Sequence, residues 1–233
     1  MLDLPAAYHV PMVGTEIATS PEPPKPRFRG RSHEWAFFAS LGLAPALILA
    51  ADGTKATVAF AIYAAAVCGL FGASALYHRV TWSPGARRWM RRLDHSMIFV
   101  MIAGTYTPFA LLVLSGTLAT VVLWVVWGGA IGGVVFKLVW IDAPKLFIAA
   151  VYVALGSVGV VVIPQLLSKA GVAATTLIIV GGLLYIAGAV IYTLRRPDPS
   201  PAVFGYHEVF HTLVIAAAAA HYVAVGAFVA PSV

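Results

Sequence analysis

The sequence predicts an all-α membrane protein, a seven-transmembrane helix bundle with its N-terminus in the cytoplasm and its C-terminus on the extracytoplasmic side. Three observations lead to this prediction: the composition, the number of long apolar segments, and the distribution of basic residues between the loops. Of the 233 residues, 61% are hydrophobic and 10% are charged, and the mean hydropathy is +0.89. Soluble domains have about 25% charged residues, so the composition excludes an ordinary soluble fold.

Seven apolar segments follow one another along the chain. Each is long enough for a helix to cross a hydrocarbon core about 30 Å thick. Pro45, Pro108 and Pro164 lie inside segments or near their ends. Neighbouring helices can satisfy the backbone groups that these prolines free, so they predict kinks and not breaks. The segments cover roughly residues 34–51, 56–79, 92–114, 117–137, 146–166, 172–194 and 206–230.

The residues before the first segment have a different composition. Residues 21–31 read PEPPKPRFRGR, which is rich in proline and arginine and poor in apolar side chains. Such a stretch predicts a flexible chain, and no apolar core follows a short basic start as it would in a signal peptide. We therefore predict a flexible cytoplasmic tail over residues 1–32 and one membrane domain over residues 33–233.

Basic residues lie almost entirely on one side of the predicted bundle. The tail and the loops after the second, fourth and sixth segments hold 13 of the 15 lysines and arginines, and the other loops hold only Lys55 and Lys169. Cytoplasmic loops carry such an excess, which sets the predicted orientation in the cell (plasma or inner) membrane. Basic loops also face anionic lipid headgroups. The pI of about 9.6 therefore reflects basic loops that face membrane lipids. We expect membrane lipids as partners and no nucleic acid.

The predicted topology brings histidines from distant segments into one layer. His78 ends the second segment, which runs inward, and HEVFH at residues 207–211 begins the seventh, which runs outward. His207 and His211 are four residues apart and share one face of a helix. Imidazoles are costly in lipid unless something holds them, and three of them suit zinc. We predict a zinc (Zn²⁺) site of His78, His207 and His211 near the cytoplasmic face, with its fourth position open for water. The plainer alternatives are a hydrogen bond between helices for His78 and polar side chains that face the headgroups for His207 and His211.

Two further residues of this layer are candidate catalytic groups. Ser74 lies one helical turn before His78 on the same face, where its hydroxyl can hold the water or a substrate oxygen. Asp94 begins the third segment and can take a proton from that water or orient a histidine. Each also has a plainer interpretation. Ser74 would then be a small packing residue, and Asp94 would form a surface ion pair with Arg91 or Arg92.

Two other histidines are predicted to stay outside the metal site. His95 is turned about 100° from Asp94 around a helix, and we expect it to face the headgroups. His221 lies ten residues beyond His211, about 15 Å further along a helix, which is too far for the same metal. Its alternatives are a contact with a cavity or substrate and a hydrogen bond between helices.

Glu208 gives HEVFH the form of a metalloprotease motif, in which the glutamate is the general base. In this sequence no later aspartate or glutamate completes a site of two histidines and one carboxylate. The alternative is that Glu208 pairs with Arg195 or Arg196 at the membrane interface.

Several motifs together resemble the hemolysin III family, which belongs to the progestin and adipoQ receptor superfamily along with the adiponectin receptors. They are SALYH at 74–78, Asp94-His95 after the basic loop, GTYTP at 104–108 and GYHEVFH at 205–211. The resemblance covers about residues 33–230. It implies a seven-helix bundle, zinc held by His78, His207 and His211, and Asp94 and Ser74 around the zinc-bound water. It also implies kinship with alkaline ceramidases, which share a serine, an aspartate and three histidines.

Three functions are compatible with these observations. The leading hypothesis is a zinc-dependent hydrolase of membrane lipids that cleaves an amide, as in a ceramide-like substrate. The first alternative is a receptor-like signalling or stress-response membrane protein in which zinc is structural. The second, implied by the name of the resembled family, is a membrane-permeabilising hemolysin, although the segments lack the charged rings or polar lining of a pore.

Overall fold

A computed structural model describes residues 25–230. Within this range the chain is helical apart from short turns and one isolated bridge between Ser200 and Phe204. π-Helical turns extend α3 over Phe109–Val113 and α8 over Val225–Val229. The predicted all-helical class is confirmed for this part of the chain. The helices are α1 (Arg31–Leu49), α2 (Gly53–Arg79), α3 (Pro84–Pro108), α4 (Gly116–Val139), α5 (Lys145–Gly156), α6 (Gly159–Lys169), α7 (Gly171–Leu194) and α8 (Tyr206–Ala224).

Within the described range, six helical stretches are long and apolar enough to cross a membrane. They are α2, α3 with its π-turn, α4, α5 with α6, α7, and α8 with its π-turn. The stretches indicate a multi-pass membrane protein. Helix α1 is not among them, because the polar residues of its first turn lower its hydropathy. The crossing by α1 and the orientation of the termini remain predictions.

Helix α3 begins well before the apolar segment that predicted it. It starts at Pro84, with Ser83 as the N-cap, whose Oγ accepts a hydrogen bond from the Ala86 N–H at 3.4 Å. Proline is favoured in the first turn, where its missing N–H is not needed. Hydropathy marks only the part of a helix that lies in lipid, so residues 84–91, which include three arginines, were outside the predicted segment 92–114.

The predicted segment 146–166 is interrupted and forms α5 and α6. The interruption begins at Ser157, directly after Gly156, and the two form a Gly-Ser pair of the kind at which helices bend. The Tyr106 hydroxyl donates a hydrogen bond to the Gly156 carbonyl oxygen, which compensates for a bond lost from the helical ladder. Pro164 lies inside α6, and Pro45 inside α1, without breaking either helix.

Helices α2 and α3 form the centre of the bundle. Each buries 56% of its most apolar stretch, against 11% for α5 with α6 and for α7. Helix α2 packs between α1 and α3, α4 packs on α3, and α7 packs on α8. Helix α1 also contacts α8, so the beginning and the end of the described chain are neighbours.

The close approach of α2 and α3 depends on Gly104. A Cβ at this position would lie 2.4 Å from the Ala66 Cβ. We expect Gly104→Ala to destabilise the protein by about 1–3 kcal/mol through overpacking, as measured by thermal unfolding in detergent. The control is Gly132→Ala on α4, where nothing lies within 4 Å of the added Cβ; because alanine is the better helix former, this variant should be neutral or more stable. Equal effects of the two substitutions would contradict the packing argument.

The elements that carry most of the basic residues meet at one end of the bundle, which we call the basic end. There Arg91 Nη1 pairs with Asp142 Oδ1 at 2.7 Å, and Arg92 Nε donates to the Leu138 carbonyl oxygen at 3.0 Å. At the opposite end Lys169 Nζ donates to Ser115 Oγ at 2.6 Å. The two groups of charges separated by the sequence analysis therefore lie at opposite ends of the fold.

Part of the predicted flexible tail is packed at the basic end. The backbone N–H groups of Arg27 and Phe28 donate to the carbonyl oxygens of Ala202 and Val203 at 3.0 and 3.1 Å. The Phe28 ring contacts Phe204 edge to face. Composition does not reveal such pairing with a distant loop, so residues 25–30 differ from the prediction. Residues 1–24 lie outside the described range.

Candidate metal centre

Three histidines form a compact group at the basic end of the bundle. His78 comes from the last turn of α2, and His207 and His211 come from the first two turns of α8. One ring nitrogen from each lies within 4.8 Å of the other two. His78 Nε2 and His207 Nε2 are 3.2 Å apart. The fold thus assembles the three residues that the sequence analysis placed together.

The geometry and chemistry of this group fit a divalent metal such as zinc. Two nitrogens that bind one tetrahedral zinc at about 2.0–2.1 Å are themselves about 3.3 Å apart, close to the separation of the His78 and His207 nitrogens. His211 is 2% exposed, and its Nδ1 has no hydrogen-bond partner among the described residues. A buried ring nitrogen without a partner is costly, and a metal held by this cluster would give the ring a role.

Ser74 lies beside this group, as predicted, and is held by a residue that the sequence analysis did not select. Its Oγ is 2.8 Å from Nδ1 of His33, in the first turn of α1. The His33 ring stacks on the ring of His211, with centroids 3.7 Å apart and planes 6° from parallel. Both Ser74 and His33 are buried. A fourth histidine therefore belongs to the cluster.

Asp94 is part-buried next to the histidines but outside the group of three. Its carboxylate interacts electrostatically with His78 and His33. Its Oδ2 lies 3.3 Å from Nδ1 of His95. The structure thus differs from the expectation that His95 faces the headgroups, because the His95 side chain is 20% exposed and turns towards Asp94. Of the two arginines considered as partners of Asp94, Arg91 pairs instead with Asp142.

Glu208 has two partners, and neither is the arginine pair that we expected. Its Oε1 accepts from Arg29 Nε at 2.5 Å, and its Oε2 accepts from the Gly205 N–H at 2.9 Å. The second contact is half of a capping box and satisfies a free donor at the start of α8. The predicted pairing of Glu208 with Arg195 or Arg196 is therefore wrong, because Arg29 of the tail is the arginine that pairs with it. The Glu208 carboxylate therefore binds the tail through Arg29 and caps the N-terminus of α8 through Gly205.

His221 is an interhelical contact and not part of the metal group. Its Nε2 lies 3.1 Å from the Ile178 carbonyl oxygen on α7. A Cβ at Gly181 would lie 2.3 Å from the same nitrogen, so glycine makes room for the ring. Of the two alternatives left open, the hydrogen bond between helices is confirmed.

Removing the charge of Glu208 tests its structural role. We expect Glu208→Gln to lower the free energy of unfolding by about 2 kcal/mol, because a part-buried charge-assisted hydrogen bond to Arg29 is lost. The matched control is Glu34→Gln, which breaks the exposed pair of Glu34 with Arg79 at 2.9 Å and should cost about 1 kcal/mol or less. Thermal unfolding measures both. Equal losses would show that the Arg29 pair is no stronger than a surface pair.

The sequence analysis missed His33 and Arg29, although a signal for both was present. Both precede the first apolar segment, at the end of the bundle where the other histidines were placed. Residues just outside a hydropathy boundary can belong to the same layer as residues just inside it.

Comparison with known proteins supports the resemblance read from the motifs. A family model described as "Haemolysin-III related" matches residues 22–222. The chain is similar to the Hemolysin-3 homolog of Bacillus subtilis (strain 168), with 32% identity over 163 residues, 70% of this chain and 73% of the relative. It is also 32% identical to Hemolysin-3 of Bacillus cereus over 197 residues, 81% of this chain and 85% of the relative.

A more distant similarity extends to animals. The monocyte to macrophage differentiation factor of Homo sapiens is 27% identical over 168 residues, 70% of this chain and 67% of the relative. This similarity is consistent with the wider progestin and adipoQ receptor superfamily. The family model spans most of the chain, including the ends of α2 and α8 that carry the three histidines. The chain therefore belongs to the hemolysin III family.

Proposed function

We propose that this protein is a zinc-dependent hydrolase that cleaves an amide bond in a membrane lipid. The observation that carries the proposal is the group of three buried or part-buried histidine nitrogens within 4.8 Å of one another, with no carboxylate as a fourth member. Catalytic zinc sites have three protein ligands and keep one position for water or substrate, whereas structural sites are closed by four.

The ligands in this proposal are His78, His207 and His211. Zinc held by these residues would supply a Lewis acid that polarises a carbonyl, and it would lower the pKa of a bound water to near 7. The imidazoles bind as neutral bases, which suits their surroundings, because His207 and His211 are held among the rings of Tyr192 and Phe210. The apolar rings exclude competing water from the ligand atoms.

Ser74 and Asp94 have separate roles in this mechanism. The Ser74 hydroxyl donates a hydrogen bond to the carbonyl oxygen as negative charge develops on it. Asp94 takes a proton from the attacking water and delivers it to the leaving nitrogen. One water is consumed, the carbon–nitrogen bond breaks, and a fatty acid and an amine are released. The position of Asp94 outside the group of three suits a proton carrier, which acts through one water and does not need to ligate.

The direct test uses purified protein in detergent and a short-chain lipid amide, with fatty acid release followed by mass spectrometry. We expect turnover by the wild type and a loss of about 10²-fold or more in Asp94→Asn, because proton transfer contributes about that factor. His207→Ala should be inactive. The control is His221→Ala, which alters a histidine of the same helix outside the site. Wild-type protein that contains metal yet cleaves no lipid amide would overturn the proposal.

The second candidate is a signalling protein with a structural zinc. It is favoured by the position of the proposed ligands on two different helices. His78 is on α2, and the other two ligands are on α8, with α1 contacting both helices. A metal here would pin α2 to α8. In this case a chelator lowers the unfolding temperature of the wild type and no turnover is lost. In the hydrolase, the chelator removes turnover.

Membrane permeabilisation is the activity that the names of the two Bacillus relatives suggest for those proteins. For this chain, the hypothesis predicts dye release from liposomes to which the protein is added. His78→Ala distinguishes it from hydrolysis, since a pore needs no metal ligand. Leakage that persists in His78→Ala would favour permeabilisation, and no leakage with either protein would exclude it under these conditions.

A further inference from the structure

We infer that His33 is a positioning residue of the metal centre: it fixes the Ser74 hydroxyl as a hydrogen-bond donor directed at the oxygen bound in the open position. The role of Ser74 toward a substrate oxygen rests on the proposed function. The contacts of His33 with Ser74 and His211 do not depend on that function.

His33 is held between two aromatic rings. It lies in the first turn of α1 and is 3% exposed, with the Phe71 ring edge to face at 5.1 Å and the parallel ring of His211 at 3.7 Å. Two aromatic faces therefore leave the imidazole little freedom to rotate. A polar ring so deeply buried requires a partner, and the described residues give its Nδ1 one partner, Ser74 Oγ at 2.8 Å.

The position of the proton on the His33 ring decides the direction of this hydrogen bond. A neutral imidazole has one N–H and one bare nitrogen. His33 Nε2 is buried with no hydrogen-bond partner among the described residues. A proton on Nδ1 makes His33 the donor to Ser74, and a proton on Nε2 makes Ser74 the donor to His33. We assign the proton to Nδ1, so that His33 donates to Ser74 in the proposed arrangement.

A hydrogen bond from His33 leaves the Ser74 hydroxyl able to donate. A hydroxyl has one hydrogen to donate and two lone pairs to accept with. Once one lone pair accepts from His33, the hydrogen remains free for another acceptor. Ser74 lies one turn before His78 on the same helix, so its hydroxyl is on the side of the three ligands. His33 thus leaves Ser74 as the donor that an oxygen in the open position requires.

Two substitutions of His33 separate its hydrogen bond from its stacking. His33→Asn retains an N–H donor near the position of Nδ1 but has no ring to stack on His211. His33→Phe retains a planar ring but has no donor. Ser74→Ala is the reference for loss of the hydroxyl. Zinc content and unfolding temperature of each variant show whether it is folded and loaded.

The main readout is the visible absorption of the protein loaded with Co²⁺, which accepts the same kinds of nitrogen and oxygen ligands as zinc. We expect His33→Phe and Ser74→Ala to change the spectrum in the same way and His33→Asn to resemble the wild type. With a lipid amide that the wild type cleaves, His33→Phe should lower kcat by about 10- to 100-fold, as for other residues that orient a metal site, with little change in KM.

Other patterns overturn the inference. A normal spectrum in His33→Phe, or an altered one in His33→Asn, would show that the hydrogen bond is not the determinant. Metal loss in both variants would make His33 a ligand or a structural residue. If the spectra follow the expected pattern and no lipid amide is cleaved by the wild type, the positioning role stands and the proposed hydrolase function fails.

Discussion

Purified wild-type protein should contain about one zinc per chain, and His78→Ala or His211→Ala should reduce this by about 10-fold or more, since each removes one of the three proposed ligands. The two residues lie on α2 and α8, so parallel losses would show that both helices contribute to one site. The measurement is inductively coupled plasma mass spectrometry on protein purified without added metal.

The control for this experiment is His221→Ala. This variant removes a histidine from the same helix as His211. The His221 Nε2 lies 3.1 Å from the Ile178 carbonyl oxygen, and His221 is not one of the three clustered histidines. We expect the zinc content of His221→Ala to equal that of the wild type. A loss of metal in this variant would mean that unfolding, and not ligand removal, explains the other two. Folded wild-type protein without metal would remove the basis of the hydrolase proposal.

Gly30→Ala should damage the same site from outside the ligand set. Gly30 precedes α1 with φ +79°, and a Cβ there would lie 2.6 Å from the Cβ of His78. Left-handed backbone costs a non-glycine residue about 1–2 kcal/mol, and overpacking costs about 1–3 kcal/mol more. The added Cβ overlaps the Cβ of His78, a proposed ligand, so the His78 ring must shift. We expect lower stability and weaker zinc retention against a chelator.

Gly53→Ala is a closely matched control for Gly30→Ala. Gly53 has the same φ of +79°, and an added Cβ there meets nothing within 4 Å. This variant should therefore lose stability through backbone strain alone and retain zinc as the wild type does. If both variants release zinc equally, general destabilisation and not the contact with His78 is the cause.

The parts of the fold that follow from hydropathy were predicted well. Helix α8 begins at Tyr206, the residue at which its apolar segment was predicted to begin. Where a helix extends into water, hydropathy gives no signal, and for this reason α3 begins at Pro84 and not at residue 92. The bend after Gly156 depends on a hydrogen bond from Tyr106, fifty residues earlier, which no local pattern reveals.

The candidate site shows the same division. His78, His207 and His211 could be predicted to converge because helix direction and a spacing of four residues determine their layer. Glu208 was assigned the wrong partner because several arginines share that layer, and only the path of the tail decides that Arg29 reaches it. His33 was missed because its significance lies in contacts with Ser74 and His211 and not in any motif of its own.

The origin of the ligands has a consequence for biosynthesis. His78 and His207 are separated by 129 positions, and five helices lie between α2 and α8. Membrane helices enter the bilayer in order as the ribosome makes them, so the chain holds one of the three proposed ligands while all five helices are inserted. If these histidines bind the proposed zinc, metal capture is a late step that follows the arrival of α8 beside α1 and α2. A nascent chain arrested after α7 should then fold most of the bundle and bind no zinc, so zinc binding would indicate that insertion is complete.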